Sequence, residues 1–307
     1  MQVIVFEEFG GPDVLHVKEI AEPHAGPGEI RVAVKAAGVN PMDYKIRHGW
    51  LEGVFPTPLP AVPGQEIAGV VDEIGAGVTG VTVGDDVLGW STTGAYAQYA
   101  LAETVVRKPA SLGWAEAAAL PVAGETAARV LDELALREGE TLLLHGAAGA
   151  VGSVAAQLAA ARGAIVIGTA SPANHEYVRS LGAIPVTYGD GLVERVRSVA
   201  PQGVDAVFDA AGMGALPDSI ELRGGTTDRI VTIADQAAAG LGVPFSSGMS
   251  GDAVAERKHA GLAENARLAA EGALRLRIAG TFPLAEAAQA QQTSEDGHAR
   301  GKLVILP

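Results

Sequence analysis

This sequence of 307 residues has no cysteine, few aromatic residues and a shortage of positive charge. The absence of cysteine excludes disulfide bonds, thiol nucleophiles and every zinc site with cysteine ligands. With 22 basic and 36 acidic residues the net charge is −14, and no run of Lys and Arg offers the basic patch that nucleic-acid phosphates require. The sequence contains neither an apolar run of about 18 residues that would span a membrane nor a signal-peptide pattern in MQVIVFEEFGG. We therefore expect a cytoplasmic protein that binds neither nucleic acid nor membranes.

Apolar residues make up 48% of the chain, which supplies a sizeable core and excludes intrinsic disorder. The 40 glycines are expected at turns and at places where backbone approaches something closely. In the first hundred residues, Gly10–Asp13 lies as a turn between two alternating runs that predict a hairpin. Further strands are predicted at 30–34, 67–74, 87–90 and 95–101. This part of the chain is expected to form a small, irregular barrel.

From about residue 115 the pattern changes to helices that alternate with short β-branched strands. The predicted order is a strand at TLLLHG, a helix over 151–162, a strand at AIVIGT, a helix over 175–181, a strand at 184–188, a helix over 192–199, and strands at VDAVFDAAG and DRIVTIAD. Such alternation predicts βαβ units and a parallel sheet. The last strand, KLVIL, is able to join either half of the chain.

The strongest motif is the turn from Gly146 to Gly152, between an apolar strand and an amphipathic helix. A dinucleotide-binding turn must reverse the chain, expose backbone to a pyrophosphate and pack the helix closely on the strand. Gly149 and Gly152 suit the second and third tasks, while Ala147 stands where the first glycine usually lies. An ordinary glycine-rich turn is the alternative, but the strand, helix and following strand all have the expected spacing. The residues predicted here to bind the cofactor are Gly146, Ala148, Gly149, Ala150, Val151 and Gly152, together with Ala211 and Ile233 at the ends of the two later strands.

The end of the second strand of this unit indicates which dinucleotide is bound. Folds that bind NAD place an acidic residue there, roughly 20 positions after the turn, to contact the ribose 2′-hydroxyl. The segment Thr169–His175 contains no carboxylate, so it admits a 2′-phosphate. The possible donors, each of which is otherwise a surface residue or helix cap, are Ser171, Asn174, His175, Arg179 and Tyr188. We predict NADP(H) rather than NAD(H).

The chain resembles the zinc-independent medium-chain dehydrogenases/reductases of the quinone oxidoreductase type, almost from end to end. The stretches that carry the resemblance are AAGVNPMDYKIRHG, VPGQEIAGVVDEIGAGVTGVTVGDDVLG, GAYAQYA, AAALPVAGETAARVL, the glycine turn, FPLAEAAQA and HARGKLVI. The resemblance implies an α/β fold with a doubly wound parallel-sheet (Rossmann) nucleotide domain at 119–262. It also implies a GroES-like, partly open β-barrel catalytic domain built from 1–118 and 263–307, and a homodimer.

The resemblance also implies roles for individual residues. Asn40 and Thr126 are expected beside the nicotinamide, and Lys302 near the cofactor cleft. Tyr188 and the polar residues around Ser171 are expected at the adenosine 2′-phosphate.

Departures from zinc-dependent relatives are informative. Those relatives carry a cysteine in the segment matching Gly38–Asn40, a histidine where this sequence has Gln65, and a four-cysteine lobe that is missing here. We therefore expect no metal, and no oxidation of alcohols through a metal alkoxide. Ala173 stands near a position where a basic residue often holds the 2′-phosphate, so strict NADPH specificity is left open.

Without metal or covalent nucleophile, the expected chemistry is hydride transfer from nicotinamide to a quinone or an activated enone. Tyr44 is the candidate proton donor, with a purely structural role or protonation by solvent as alternatives. Asp43 is interpreted as a structural hydrogen-bonding residue rather than a base. The tyrosine that serves enoyl-thioester reductases is replaced by Trp50 and Leu51, which makes an enoyl reductase acting on a thioester or polyketide-type substrate the second choice.

Other residues allow more than one interpretation. Pocket walls are possible at Trp50, Phe55, Phe245 and Met249, which are equally interpreted as core residues. His48 and His145 have no partner at metal-ligand spacing and are expected to be packed or hydrogen-bonded. A nucleotide-binding structural or regulatory protein with little turnover is the alternative from another functional class.

Overall fold

The computed structural model of the chain describes residues 1–247, 252–297 and 299–307. The strands are β1 (Gln2–Val5), β2 (His16–Glu19), β3 (Ile30–Val39), β4 (Glu66–Ile74), β5 (Asp86–Ser91), β6 (Tyr99–Arg107), β7 (Thr141–His145), β8 (Ile165–Thr169), β9 (Ile184–Val186), β10 (Ala206–Asp209), β11 (Ile230–Thr232), β12 (Ile278–Pro283) and β13 (Lys302–Leu306). The α-helices are α1 (Pro41–Arg47), α2 (Trp114–Ala118), α3 (Leu120–Glu133), α4 (Ala150–Ala161), α5 (His175–Ser180), α6 (Leu192–Val199), α7 (Leu216–Leu222), α8 (Ala238–Leu241), α9 (Asp252–Ala270) and α10 (Ala287–Glu295). Short 3₁₀ helices cover Pro12–Val14, Pro172–Asn174 and Leu284–Glu286.

The chain forms two compact units, one of Met1–Val122 with Asp252–Pro307 and one of Ala123–Gly251. The sequence placed the second boundary between residues 262 and 263, which falls inside α9. This continuous helix contacts β6, so the first unit takes all of it.

A six-stranded sheet organises the first unit, in the order β12-β13-β3-β4-β5-β6. Its neighbours are antiparallel except for β12 and β13, and an additional pairing of β3 with β6 closes part of the sheet into a barrel. The predicted hairpin is confirmed, because β1 pairs with β2 in antiparallel register. The terminal strand KLVIL joins this unit as β13, between β12 and β3.

One predicted strand is displaced. The run 95–101 was expected to be a strand, but β6 spans Tyr99–Arg107. Tyr96 instead turns into the core, where it is fully buried, and its carbonyl accepts the N–H of Ile4 at 2.8 Å. The ladder between β6 and β3 therefore includes only the end of the predicted run, from Tyr99 onward.

The second unit is built on a five-stranded parallel sheet in the order β11-β10-β7-β8-β9. Every residue of β7 is buried, as expected for a central parallel strand covered on both faces. The predicted helix over 192–199 is found as α6 with the same bounds. The doubly wound parallel sheet and the barrel predicted from the sequence are thus confirmed.

The strand order creates a topological switch point in the second unit. The chain leaves β7 toward β8 on one side, while β10 lies on the other side of β7. In open sheets of this kind, ligands bind outside the carboxyl ends of the strands at the switch point. The turn at Gly146 and the segment after Asp209 both follow the carboxyl ends of these strands.

Candidate functional site

The glycine turn after β7 is held in a shape that leaves backbone donors accessible. Gly146 has a φ of +75°, and its N–H donates to Oγ1 of Thr169 at 3.2 Å. A Cβ at Gly152 would lie 2.1 Å from the Gly146 carbonyl oxygen, so only glycine fits where α4 packs against the turn. Gly149 is the N-cap of α4 and has no side chain to cover the first N–H groups of the helix. Since these groups have no partner within a helix, the turn can bind an anion.

Ala147 explains why the usual first glycine is dispensable here. Ala147 is fully buried, and its N–H donates to the Thr169 carbonyl at 3.1 Å. A Cβ at Gly168 would lie 2.7 Å from the Ala147 methyl group. Gly168, in the neighbouring strand β8, thus leaves the room that the Ala147 methyl group occupies.

Asp209 organises the backbone on the other side of the switch point, a role that the sequence analysis missed. This fully buried carboxylate accepts the N–H groups of Ala211 and Gly212 at 3.0 Å each, and the hydroxyl of Thr232 at 2.8 Å. The backbone carbonyl of Asp209 accepts the N–H of Ile233 at 3.0 Å. Asp209 therefore fixes both Ala211 and Ile233, and a Cβ at Gly146 would lie 3.3 Å from the Ala211 methyl group.

His145, at the end of β7, is a packed histidine as expected. Its ring contacts Oγ1 of Thr169 at 3.3 Å and Oγ of Ser219 at 2.9 Å. Burial lowers the pKa of His145 to about 4, although the charge of Asp209 acts in the opposite direction. The imidazole is therefore neutral at physiological pH.

The predicted donors after β8 form a local hydrogen-bonded group. Nδ2 of Asn174 donates to Oγ of Ser171 at 3.1 Å. Nε2 of His175 lies 3.3 Å from the Ala170 carbonyl oxygen and 3.4 Å from Oγ1 of Thr187. Thr187 precedes Tyr188, whose side chain is 57% exposed. Ser171, Asn174 and His175 are thus brought together, and His175 contacts the residue before Tyr188.

In the first unit, Asn40 is held by a buried ion pair. Asn40 ends the extended segment of β3 and lies directly before α1. Its Oδ1 accepts a hydrogen bond of 2.6 Å from Nζ of Lys302, and its Nδ2 donates to Oε1 of Glu66 at 2.8 Å. Lys302 and Glu66 also form an ion pair with each other, with side chains 2% and 0% exposed. The three side chains therefore fix one another away from solvent.

The sheet register explains how these distant residues meet. Gly38 of β3 pairs with Glu66 of β4 on one side and with Val304 of β13 on the other. A Cβ at Gly38 would lie 2.2 Å from Oε1 of Glu66, so the missing side chain makes room for the carboxylate. The second carboxylate oxygen accepts the N–H of Val122 at 2.8 Å.

Asp43 is a structural hydrogen-bonding residue, as the sequence interpretation favoured. Its Oδ2 accepts the N–H of Asn40 at 2.9 Å and the hydroxyl of Tyr96 at 2.8 Å. Oδ1 is buried and has no hydrogen-bond partner among the described residues. Burial raises the pKa of Asp43 to about 6, against the lowering effect of the Asn40 N–H and the Tyr96 hydroxyl.

Tyr44 lies on α1, next to the stacked rings of Trp50 and His48 and the ion pair between Arg47 and Glu295. Its ring meets the Trp50 ring edge-on at 6.2 Å, and Trp50 stacks on His48 with the ring centroids 4.4 Å apart. His48 contacts Glu295 at 2.7 Å, and the fully buried Arg47 donates to the same carboxylate at 2.7 Å. Partial burial raises the pKa of Tyr44, and the charge of Glu295 adds to the effect. Tyr44 is therefore a neutral phenol at physiological pH.

The remaining predicted residues have these positions. Thr126 lies on α3 and is 9% exposed. Trp50, Phe55 and Phe245 are exposed rather than core residues, at 57%, 37% and 52%. Met249 lies outside the described residues.

The predicted site residues fall into two sets. Asn40, Tyr44 and Lys302, with the candidate pocket residues Trp50 and Phe55, belong to the first unit, and the predicted dinucleotide-binding residues from Thr126 to Ile233 belong to the second. Four residues that organise these sites were not predicted from the sequence, namely Arg47, Glu66, Tyr96 and Asp209. For two of these residues the sequence does contain a signal, which is a single charged residue beside an apolar run: Glu66 before IAGVV and Asp209 after AVF.

Among the described residues, no group of three or more His, Cys, Asp or Glu side chains is arranged to hold a metal ion. The absence of a metal in the working protein stays a prediction. The same described residues contain no helix with the length and apolar character needed to cross a bilayer.

Two family models match the chain. The model described as "Alcohol dehydrogenase GroES-like domain" matches residues 26–122, and the one described as "Zinc-binding dehydrogenase" matches residues 181–305.

Curated relatives match over the whole chain. It is 33% identical over 322 residues to the NADPH-dependent alkenal/one oxidoreductase, chloroplastic, of Arabidopsis thaliana, covering 100% of this chain and 80% of that one. It is 30% identical over 331 residues to the chloroplast envelope quinone oxidoreductase homolog of the same plant, covering 100% and 98%. The chain spans about half the length of other relatives, such as the mouse synaptic vesicle membrane protein VAT-1 homolog-like, which is 35% identical over 68% of this chain and 51% of its own length.

Solved structures agree with the sequence relatives. The chain superposes on the quinone oxidoreductase from Coxiella burnetii with a TM-score of 0.84, at 32% identity, over 100% of this chain and 99% of the other. It superposes on the Escherichia coli quinone oxidoreductase complexed with NADPH with a TM-score of 0.86, at 26% identity, over 100% of both chains.

Proposed function

Because this chain belongs to the quinone oxidoreductase-like family of medium-chain dehydrogenases/reductases, we propose that it is an NADPH-dependent oxidoreductase that reduces a quinone or an activated enone without a metal. The observation that carries the proposal is the glycine turn at the switch point, followed by a strand end without a carboxylate. The first feature suits a pyrophosphate, and the second admits a 2′-phosphate.

The residues of the second unit fit NADP(H). The N–H groups at the start of α4 suit the pyrophosphate, and the absence of a side chain at Gly149 allows it to approach the backbone. The residues proposed to hold the cofactor are Gly146, Ala148, Gly149, Ala150, Val151, Gly152, Ala211 and Ile233, with Ser171, Asn174, His175 and Tyr188 at the 2′-phosphate, Asn40 and Thr126 beside the nicotinamide, and Lys302 near the cofactor cleft. When bound, NADP(H) supplies the hydride for reduction.

The first unit supplies hydrogen-bond donors that are held rigidly. Nδ2 of Asn40 has two hydrogens, of which one is used on Glu66. Lys302 neutralises Glu66 and orients the Asn40 amide through its oxygen. We propose that this fixed orientation, rather than any titration of the amide, is the contribution of Asn40.

Tyr44 is the proposed proton donor. Its phenol is half-buried and neutral, so it can donate a hydrogen bond to an oxygen that gains negative charge. The alternative is that water supplies the proton.

Quinones and enones are the proposed substrates because the family relatives with the broadest coverage are named for them. Both acceptors delocalise negative charge onto oxygen without a Lewis acid. A thioester or polyketide-type enoyl substrate is the second choice, because Trp50 and Leu51 replace the tyrosine expected of thioester reductases. A nucleotide-binding role with little turnover is the alternative outside enzyme chemistry.

The test is NADPH oxidation measured with a simple naphthoquinone, an acyclic enone and an enoyl thioester, each repeated with NADH. We expect turnover with the quinone or the enone, little with the thioester, and a higher kcat/KM with NADPH. Tight NADPH binding without turnover of any acceptor would favour the structural role. Equal affinities for NADH and NADPH would contradict the cofactor assignment.

The homodimer and the cytoplasmic location expected from the sequence remain part of the proposal. The dimer is supported by family resemblance alone. Light scattering of the purified protein tests the dimer, and fractionation of the source cells tests the location.

A further inference from the structure

The loop Thr187–Asp190, which carries Tyr188, is held by one arginine. Arg195 of α6 donates from Nε to the Thr187 carbonyl at 2.8 Å and from Nη1 to the Asp190 carbonyl at 2.7 Å. Its Nη2 donates to the carbonyls of Tyr188 at 3.3 Å and Gly189 at 2.8 Å. One guanidinium therefore binds all four carbonyls of the loop, which a rigid fork of five N–H donors is suited to do.

The arrangement is unusual because the guanidinium is used on backbone alone. The hydrogen bonds of the Arg195 guanidinium go to these carbonyls, and among the side chains that the structure describes it forms no ion pair with a carboxylate. By contrast Arg197, two residues later, pairs with Glu221 at 2.9 Å and is exposed. The positive charge of Arg195 is therefore not neutralised by an acidic side chain.

The loop needs the hydrogen bonds from Arg195 because little else fixes its conformation. Gly189 and Gly191 adopt positive φ values of 83° and 75°, and glycine has more accessible backbone conformations than any other residue when it is not held. The Tyr188 side chain is 57% exposed, so it contributes little packing that would fix the loop.

The same loop lies against the segment of the predicted 2′-phosphate donors. The N–H of Ala170 donates to the Val186 carbonyl at 3.0 Å, and Thr187 contacts His175. This segment carries Ala173 rather than a basic residue. Arg195 therefore holds the backbone that connects Tyr188 to this segment.

We propose that Arg195 is a positioning residue that sets the preference for NADPH by holding Tyr188 toward the 2′-phosphate. This inference rests on the proposed function, because it requires that the second unit binds NADP(H). It goes further by assigning nucleotide specificity to a residue on α6, away from the glycine turn.

The experiment uses two probes that differ only in the 2′-phosphate, adenosine 2′,5′-bisphosphate and 5′-AMP. Their dissociation constants are measured by calorimetry with the full chain and with Arg195→Ala, Arg195→Lys and the matched control Arg197→Ala. We expect Arg195→Ala to weaken the bisphosphate about tenfold, the factor that corresponds to the loss of one charge-assisted hydrogen bond, and to change 5′-AMP less than about twofold. Arg195→Lys is expected to restore part of the affinity, because an ammonium cannot reproduce the fork. Arg197→Ala is expected to bind both probes like the unmodified chain.

A double-mutant cycle with Tyr188→Ala separates positioning from direct contact. If Arg195 acts through Tyr188, Arg195→Ala causes no further loss of bisphosphate affinity in the Tyr188→Ala background. A full additional loss there would overturn the positioning role, as would equal weakening of both probes or no weakening at all. If Arg195→Ala is unfolded by circular dichroism, Arg195→Lys and Arg195→Gln are put through the same cycle. Equal binding of both probes by the unmodified chain would instead refute the NADPH assignment itself, and the inference with it.

Discussion

The Lys302 ammonium donates a hydrogen bond of 2.6 Å to Oδ1 of Asn40, a residue 262 positions earlier in the chain. The same ammonium pairs with Glu66, which in turn accepts the Asn40 amide N–H. Each of the three groups contacts the other two, so the removal of any one leaves buried polar atoms without a partner. A single substitution in the triad therefore measures the cost of leaving the other two groups unpaired.

We predict that Lys302→Ala destabilises the fold by about 3–5 kcal/mol, because it leaves the Glu66 carboxylate buried and unpaired. Urea unfolding followed by circular dichroism measures the change. Lys35→Ala is the control, since Lys35 is exposed on β3 and its removal is expected to change stability by less than about 0.5 kcal/mol. Equal stability of the two variants would show that the pair contributes nothing.

The sequence was sufficient to predict features that depend on neighbouring residues. The strand, turn and helix around Gly149 and Gly152 were correct because each local pattern is complete within about 20 residues. The bounds of α6 followed from its hydrophobic periodicity alone.

Side-chain contacts between segments that are distant in the sequence could not be predicted in this way. Asn40 meets Glu66 across 26 positions, and Asp43 meets Tyr96 across 53. These contacts depend on how the fold brings distant segments together, and for Asn40 and Glu66 on the register between β3 and β4, which the alternation of apolar residues does not specify. The domain boundary was placed inside α9 for a similar reason, because the packing of α9 against β6 is a tertiary contact that the local sequence does not specify.

Asp43 gives a prediction for the pH dependence of stability. Its folded pKa is about 6, raised by burial from 3.8, so between these pH values the folded state keeps a proton that the unfolded state releases. Stability from this group is therefore lost as the pH rises through that window, by up to about 3 kcal/mol. We expect the unfolding free energy of Asp43→Asn, minus that of the unmodified chain, to increase from pH 4 to pH 7. Asp13→Asn, at an exposed carboxyl, serves as the control, and a flat difference for Asp43→Asn would contradict the prediction.

His145 is expected to act in the opposite direction. Burial lowers its folded pKa to about 4, below the ordinary value of 6.5, so the unfolded state binds the additional proton. The contribution is fully present above pH 6.5 and is lost as the pH falls toward 4, by up to about 3 kcal/mol. His145→Gln, which keeps a neutral polar side chain, should flatten this acid limb in urea unfolding at several pH values. An unchanged acid limb would mean that other groups cause it.

Gly152→Ala tests the glycine turn. A Cβ placed 2.1 Å from the Gly146 carbonyl must displace the turn from α4, so we expect NADPH affinity to fall by at least about tenfold. Gly261→Ala, in α9 with nothing within 4 Å of the added methyl, is the control. It is expected to stabilise the protein by about 0.5–1 kcal/mol and to leave affinity unchanged. Full NADPH affinity in Gly152→Ala would indicate that the turn does not contact the cofactor.

Tyr44→Phe distinguishes a phenol donor from solvent. Since the Tyr44 pKa is raised, the phenol keeps its proton throughout the range of the assay, and the loss of its hydroxyl should be visible at any pH below 10. General acid catalysis contributes about 10²–10⁴ in rate, and we expect a fall of this kind in kcat for the enone, with KM for NADPH unchanged. The fall for a quinone should be smaller, because a hydroquinone anion is a weaker base than an enolate and depends less on a positioned acid. Tyr99→Phe, at a ring that stacks under Arg31, is the control for the loss of a phenol in the same unit. If kcat for both acceptors stays the same in Tyr44→Phe, water is the proton source and Tyr44 is a packing residue beside Trp50.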